Sequence, residues 1–411
     1  MCNNIIHTQE HCTVSALSEE QLVHLSKQNN PLVAHIDFKK QIIETGYFIG
    51  LTWIVEQNDA LYVKPKLDKI DYLKMLSICL EQPEMLKYGK DLFNIEFDKV
   101  TIKIKQQDDL ITPLLIAYFL KIVQNIVKKG LKKGYYRVEN NLHATVKGKI
   151  LVAQTLKQNT FKNRNLNTIC TYDEFGINYS ENRIIKKALI FILRYLKMNT
   201  TVDSHFTSLL DYIMPAFKAV DENISINEVK KVKHNPFFSE YSTAIDVSIL
   251  ILKRFGFNIN LIRKSEEIDI PPFWIDMPKL FEFYVLSKLK KVIPKDEIIF
   301  QANVKYGEID FLRTTKNNEI VIDAKYKTLY KNTNEYDKDD IRQLSGYARD
   351  IGTFKKLQIP QQEWQTTVLH CLIIYPDQDL SDTIDIDNLL KIPINQFERF
   401  YKLGISIPVL S

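Results

Sequence analysis

The chain has 411 residues, of which 45% are hydrophobic and 26% are charged, with a formal net charge of +5. This length is sufficient for two or three domains with substantial cores. The charge permits nucleic-acid binding without requiring it. The five cysteines are scattered without a C-x-x-C pair, which argues against a zinc site or a disulfide framework and favours a reducing compartment. Because there is no secretory signal and no apolar stretch long enough to span a bilayer, we expect a cytoplasmic protein without membrane contacts.

The first third of the chain is dominated by strand-like patterns. Residues 1–35 are polar without a firm period and predict loose structure or an edge element. Residues 46–51 and 60–67 are separated by turn residues, which predicts a β-hairpin. Residues 71–80 predict a helix, and residues 93–104 predict extended structure. This part therefore resembles a structural, β-rich module without a catalytic grouping.

The middle of the chain has helical periodicity. A helix is predicted from Thr112, a capping residue followed by proline, to about Lys129, and further helices are predicted over 181–198 and 243–254. Six basic residues and no acidic one lie between Lys121 and Arg137; they are either a phosphate-binding patch or a solvated helix end. Likewise, the Asn182–Arg183 pair either binds phosphate or a partner backbone, or is structural, with Arg183 bonded to Asp173 or Glu174.

Two short apolar runs near the C-terminus carry the residues with the clearest chemistry. Alternate side chains share one face of a strand, so Glu308 and Asp310 lie together, as do Asp323 and Lys325. The loop between the runs contains Asn317-Asn318, which predicts antiparallel neighbours. Two carboxylates brought together in this way can bind a divalent cation, and Lys325 can orient or polarise a water that attacks a phosphodiester. We therefore predict a Mg²⁺-dependent nuclease.

The D-x-K pattern alone is weak, because residues 37–39 and 228–230 match the same acidic-x-Lys pattern. Three further features of the sequence strengthen it. Asp310 lies one hairpin upstream, and residues 277–282 open an amphipathic helix that can direct Glu282 to the same place. Gln343 and Tyr347 lie four residues apart on another predicted helix and share its face. Residues 368–376 form a continuous apolar run, which predicts a central strand, and we leave His370 within this run out of the site.

This order of helix glutamate, strand aspartate, D-x-K strand and Q-x-x-x-Y helix resembles the PD-(D/E)xK nuclease superfamily. The motifs L-F-E-x-x-V at 280–285, V-I-D-A-K-Y-K at 321–327 and Q-L-S-x-Y-A at 343–348 resemble the McrC family. McrC proteins are the nuclease subunits of McrBC modification-dependent restriction systems. One departure is Ile309, which stands where the superfamily usually has a proline that binds no metal.

The resemblance implies an α+β multidomain protein. We divide it into a β-rich N-terminal module that binds the partner, a mainly helical middle region, and a C-terminal PD-(D/E)xK, restriction-endonuclease-like α/β core, over residues 1–112, 113–265 and 266–411. The implied partners are double-stranded DNA and a McrB-like AAA+ GTPase that recognises 5-methylcytosine and is stimulated by the N-terminal part. No G-x-x-x-x-G-K-[ST] motif is present, so we expect this chain to bind no nucleotide itself.

The expected cofactor is Mg²⁺, for which Mn²⁺ can substitute, and its expected ligands are Asp310, Asp323 and the main-chain carbonyl of Ala324. Glu282 would complete the site through water. The expected supporting or DNA-contacting residues are Gln343, Tyr347 and Lys327. Two other interpretations remain open: a nuclease subunit of a sequence-specific, NTP-dependent restriction system, and a catalytically silent adaptor that activates a motor.

Overall fold

The computed structural model describes residues 4–28, 30–67, 70–80, 82–88, 92–96, 99–105, 111–198, 204–225, 239–254, 267–316, 318–332, 335–380 and 389–409. The strands are β1 (Asn4–Gln9), β2 (Thr13–Val14), β3 (Val33–Asp37), β4 (Ile42–Thr45), β5 (Phe48–Val55), β6 (Asp59–Lys64), β7 (Phe93–Ile95), β8 (Ile102–Lys105), β9 (Gly134–His143), β10 (Lys149–Ile150), β11 (Asn167–Gly176), β12 (Glu267–Ile270), β13 (Phe273–Asp276), β14 (Ile298–Asn303), β15 (Glu308–Arg313), β16 (Ile320–Ala324), β17 (His370–Pro376), β18 (Ile392–Pro393) and β19 (Phe400–Ile405). The helices are α1 (Glu19–Gln28), α2 (Tyr72–Leu80), α3 (Pro83–Tyr88), α4 (Ile111–Lys129), α5 (Val152–Gln158), α6 (Ser180–Met198), α7 (Ser204–Ile213), α8 (Ser239–Arg254), α9 (Met277–Val292), α10 (Lys338–Arg349) and α11 (Ile351–Lys356), together with short 3-10 turns.

The chain divides into two compact units, residues 1–104 with 269–411, and residues 105–268. Strands β8 and β12 contain the boundaries between them. The three-domain division stays a prediction, and its boundary at residues 265 and 266 lies outside the described residues. The described part is a mixed α+β protein, and none of its helices is long and apolar enough to cross a membrane.

The first unit contains a five-stranded sheet of order β1-β6-β5-β13-β7. The predicted hairpin is confirmed, because β5 and β6 pair antiparallel. Strand β13 comes from the C-terminal part of the chain and pairs antiparallel with both β5 and β7. Gly50 permits this pairing: its φ is +151°, and a Cβ there would lie 2.1 Å from the carbonyl oxygen of Phe273. The N-terminal and C-terminal segments therefore share one sheet.

The polar N-terminal residues, for which an edge element was one expectation, form strand β1 at the edge of this sheet and the unpredicted helix α1. A small sheet, β2-β4-β3, lies nearby. Helix α1 buries Leu22 and Leu25 in a core that includes Ile43, Leu61 and Val63. Burial of these apolar side chains holds the first segment in place although it lacks a regular period.

The C-terminal segment forms a six-stranded sheet of order β14-β15-β16-β17-β19-β18. Strands β14, β15 and β16 are antiparallel neighbours, whereas β16, β17 and β19 are parallel. The predicted central position of β17 is confirmed. Helix α10 connects β16 to β17 and buries Ile341 and Leu344 against Val321 and Ile373. The aromatic rings of Phe283, Phe300 and Phe311 join α9 to the sheet.

The second unit contains the predicted helices as α4, α6 and α8. The side chain of Thr112, expected to cap α4, lies outside the described residues. This unit also contains a three-stranded antiparallel sheet of order β10-β11-β9, in which β9 and β11 pair over ten residues each. The expectation of a mainly helical middle region is therefore incomplete, because it missed this sheet.

Candidate active site

Asp310 and Asp323 lie on neighbouring antiparallel strands, as the hairpin pattern predicts; Asn317 in the connecting loop lies outside the described residues. The register pairs Phe311 with Ile322, so continuing it by one residue places Asp310 opposite Asp323. Oδ2 of Asp310 also accepts a hydrogen bond of 2.8 Å from the main-chain N–H of Ala324. The strand ends therefore bring together the three expected metal-binding residues.

Lys325 follows β16 immediately, and its ammonium lies at the centre of a polar cluster. Its Nζ is 2.7 Å from Oδ2 of Asp323 and donates a 2.8 Å hydrogen bond to Oε1 of Gln343. A second carboxylate, that of Asp340, is 3.7 Å away. Burial by itself lowers the pKa of Lys325, but Asp323, Asp340 and Asp310 outweigh it, so the net pKa is raised. Without a bound cation, Lys325 is therefore a protonated hydrogen-bond donor.

Glu282 reaches the same cluster from helix α9. Asp276 caps the start of this helix, because its carboxylate accepts a 3.0 Å hydrogen bond from the N–H of Lys279, and Pro278 occupies the first turn. Oε1 of Glu282 accepts a 3.2 Å hydrogen bond from Gln301. Burial, followed by the neighbouring negative charges, raises the pKa of Glu282 to about 7.

The pKa of Asp310 is raised well above its ordinary value, first by burial and then by the charges of Asp323 and Glu282. Three carboxyl groups are thus close enough to repel one another in a water-poor site. A divalent cation would compensate this negative charge, which is the arrangement expected of a metal-binding acidic site.

The oxygen atoms available at this site suit Mg²⁺, which keeps waters of its own, better than a metal ion whose ligands all come from protein side chains. Among the described residues, no group of three His, Cys, Asp or Glu side chains is arranged to hold a metal ion. Mg²⁺ commonly keeps several waters and uses only one or two carboxylates. Asp310, Asp323 and the carbonyl of Ala324 satisfy that requirement, and Glu282 lies close enough to interact electrostatically with both aspartates.

Helix α10 supports Lys325 from the other side. The carboxylate of Asp337 caps this helix by accepting from the N–H of Asp339 at 2.9 Å. Gln343 accepts from Lys325 and donates a 3.0 Å hydrogen bond to the hydroxyl of Tyr347. Tyr347 is buried. We expected Gln343 and Tyr347 either to support the site or to contact DNA. These contacts favour the supporting role.

Lys327 points toward the start of helix α10. Its Nζ lies 2.6 Å from Oδ2 of Asp337 and 2.9 Å from both carboxylate oxygens of Asp340. Asp340 also accepts a 2.6 Å hydrogen bond from the hydroxyl of Tyr330. Sequence reasoning missed Asp340, although it lies three residues before Gln343 and so shares its helix face.

Two further polar contacts were not predicted. Gln301 holds Glu282, and Lys66 donates a 2.6 Å hydrogen bond to the main-chain carbonyl of Tyr326. No local pattern identifies Lys66, which is 260 positions away from its acceptor. His370, which we left out of the site, pairs with Ile320 at the end of β16 remote from Asp323.

Part of the basic segment of the second unit is paired with carboxylates. Lys129 is 2.7 Å from Glu240, and Lys132 is 2.6 Å from Glu181. Lys128 and Lys129 also occupy the last turn of α4, where cations stabilise the helix dipole. These contacts favour the helix-end interpretation over a phosphate-binding patch.

Asn182 and Arg183 also have structural partners. The Asn182 amide donates to the main-chain carbonyls of Lys132 and Ile177 at 2.8 and 2.7 Å. The expected pairing of Arg183 with Asp173 or Glu174 is wrong. Arg183 lies 3.2 Å from Asp221, because the segment after α7 brings that aspartate to the start of α6.

Comparison with known proteins gives a family match. The family model described as "McrBC 5-methylcytosine restriction system component" matches residues 44–356, which is most of the chain. A search of curated proteins gave no match. A Thermococcus gammatolerans structure described as a half-complex of McrB AAA+ hexamers with bound McrC is 17% identical, covers 99% of this chain and 95% of that chain, and has a TM-score of 0.41. A second structure, of the Thermococcus gammatolerans McrBC complex, is 16% identical over 69% of this chain and 87% of that chain, with a TM-score of 0.30. By the extent of the family-model match, the chain belongs to the family of McrBC 5-methylcytosine restriction system components.

Proposed function

We propose that this chain is the nuclease subunit of a modification-dependent restriction system and hydrolyses phosphodiester bonds of double-stranded DNA with Mg²⁺. One observation carries the proposal: the Lys325 ammonium lies 2.7 Å from Asp323, on the strand end beside Asp310. Membership of the McrBC component family supports the biological setting. The C-terminal sheet would then be the core of a PD-(D/E)xK nuclease.

In this mechanism the side chains bind, orient and neutralise. Asp310, Asp323 and the carbonyl of Ala324 would hold Mg²⁺, and Glu282 would contribute through a water. The bound ion would polarise the scissile phosphate and lower the pKa of a coordinated water. Lys325, kept protonated and aimed by Gln343, donates a hydrogen bond to the attacking water or to the phosphate oxygen that gains charge.

The proposed partner is a McrB-like AAA+ GTPase that recognises the modified base. Family membership supports this partner. The sequence lacks a phosphate-binding loop of its own, so GTP hydrolysis is assigned to the partner. We further propose that the protein acts in the cytoplasm, where its DNA substrate would be.

The test is cleavage of methylated and unmethylated plasmids by the full chain, alone and with the product of the neighbouring gene plus GTP. Asp323→Ala is the test variant and Asp339→Ala, an exposed carboxylate on α10, is its control. We expect cleavage that requires Mg²⁺, GTP, partner and methylation, and that only Asp323→Ala abolishes.

Three results would contradict parts of the proposal. Cleavage that ignores GTP and methylation would keep the nuclease and reject the modification-dependent system. Cleavage by Asp323→Ala at the rate of the wild type would reject the assigned site. Equal stimulation of GTP hydrolysis by wild type and variant, without cleavage by either, would identify an adaptor.

A further inference from the structure

A lysine from the N-terminal segment reaches the end of the strand that carries the D-x-K residues. Lys66 follows β6, and its Nζ donates a 2.6 Å hydrogen bond to the main-chain carbonyl of Tyr326. The same ammonium lies 4.3 Å from the centroid of the Tyr326 ring and 5.4 Å from that of Tyr47. Tyr326 is the next residue after Lys325, so this contact acts on the backbone that carries the proposed catalytic ammonium.

The carbonyl of Tyr326 lies where the strand ladder has ended. The N–H of Lys325 still donates to the carbonyl of Ile374 at 2.8 Å, but the N–H of Lys327 bonds back to the carbonyl of Lys325 at 2.7 Å. This tight turn directs the Tyr326 carbonyl out of the sheet. A buried carbonyl outside a ladder requires another donor, and Lys66 supplies it with a charge-assisted hydrogen bond.

The backbone of Lys66 is itself fixed by a buried carboxylate. Glu10, whose side chain is 1% exposed, accepts a 3.0 Å hydrogen bond from the main-chain N–H of Lys66. The N–H of Glu10 donates to the carbonyl of Lys64 at 2.9 Å and so extends the β1–β6 pairing. Buried charged groups are costly unless they are paired and hydrogen-bonded. The fold therefore holds Lys66 in a defined position.

Tyr326 contacts the proposed site on two sides, through the backbone of Lys325 and through the helix that carries Glu282. It is 2% exposed, and its ring lies 5.8 Å from the ring of Phe281 on α9. Phe281 precedes Glu282, just as Tyr326 follows Lys325. A shift of Tyr326 would therefore displace the Lys325 backbone and the helix turn that carries Glu282.

We propose that Lys66 is a positioning residue of the nuclease site, which holds Lys325 between Asp323 and Gln343 through the Tyr326 carbonyl. This inference rests on the proposed nuclease function. It makes cleavage depend on Lys66, which is not one of the residues proposed to hold the metal.

The first experiment compares Lys66→Met and Lys66→Arg with Lys64→Met in the full chain with its partner. Lys64 lies at the end of the same strand, with its ammonium over the ring of Tyr62. We expect Lys66→Met to reduce the single-turnover cleavage rate by roughly 10- to 100-fold, the usual range for a group that orients a metal site. DNA affinity should be unchanged, Lys66→Arg should recover most of the rate, and Lys64→Met should cleave normally.

The second experiment measures hydrogen exchange at the amides of residues 325–331 and needs no nuclease activity. Lys66→Met should accelerate exchange at Lys325 and Lys327, while Lys64→Met should not. If the exchange is unchanged, the hydrogen bond from Lys66 does not hold the Tyr326 backbone in place, and the positioning role is rejected even where the wild type cleaves DNA. If exchange accelerates but folded Lys66→Met cleaves at the wild-type rate, or if both Met variants lose the same activity, the positioning role is rejected. If the wild type cuts no DNA, the nuclease proposal fails first and the catalytic part of this inference fails with it.

Discussion

The buried carboxyl group of Glu10 should make the stability of the first unit fall as the pH rises. Burial raises the pKa of Glu10 from its ordinary value of 4.5 to about 7, although the charge of Lys66 and hydrogen bonds from Lys66 and Tyr326 act in the opposite direction. The folded state therefore binds a proton more tightly than the unfolded state, and stability is lost as the pH rises from about 4.5 to about 7 and above. This difference in pKa corresponds to roughly 3 kcal/mol.

Glu10→Gln removes the titration while keeping an oxygen that can accept from the N–H of Lys66. At pH 4.5 the variant and the wild type should be nearly equal in stability. At pH 8 the variant should be more stable by roughly 3 kcal/mol. The adjacent His11 has a pKa lowered by burial and by Lys66 and Lys327, but it is present in both proteins and so its contribution largely cancels.

Tryptophan fluorescence during denaturant unfolding would measure this difference, because all three tryptophans of the chain, Trp53, Trp274 and Trp364, lie in the first unit. Glu44→Gln, on an exposed part of β4, is the matched control for the exchange of glutamate for glutamine itself. A Glu10→Gln variant that gains no stability at pH 8, or gains the same amount at every pH, would refute the reasoning.

Two further variants test other contacts. Gln343→Ala removes the acceptor that aims Lys325 and should lower the single-turnover cleavage rate about 10-fold with DNA affinity unchanged; an unaltered rate would show that Asp323 alone aims the ammonium. Gly50→Ala should destabilise the protein by roughly 3 kcal/mol or more, because its Cβ would meet the Phe273 carbonyl. Gly130→Ala, which has a positive φ but open space, should cost about 1 kcal/mol; equal losses of calorimetric stability in the two variants would contradict the clash.

Local sequence patterns predicted those parts of the fold that local contacts determine. Helices α6 and α8 and the β5–β6 hairpin follow from apolar periodicity and turn residues within short segments. The pairing of β13 with β5 could not be predicted in this way, because the two strands are more than two hundred residues apart. The pairing of these two strands depends on the close backbone approach that Gly50 allows, and the periodicity of the sequence does not predict such an approach.

The candidate site likewise has a part that local sequence predicts and a part that only tertiary packing determines. Residue spacing suffices to bring Asp310 to Asp323, because the two lie on one hairpin, and to align Gln343 with Tyr347 on one helix face. It does not identify Gln301 or Lys66, whose partners are set by tertiary packing. The charge pattern around Arg183 was misleading for a related reason: Asp173 and Glu174 lie beside Arg137 and Lys147, whereas Arg183 lies beside Asp221.

The position of β13 between β5 and β7 in the N-terminal sheet also constrains how the chain can fold during synthesis. Strand β7 leaves the ribosome before β13, which follows about 180 residues later and must pair with both β5 and β7. At ordinary translation rates this interval lasts about 10–35 s. During it β5 has a free edge, while the residues of the second unit emerge and can already associate with one another. The first unit is thus completed last, although its first strand is made first.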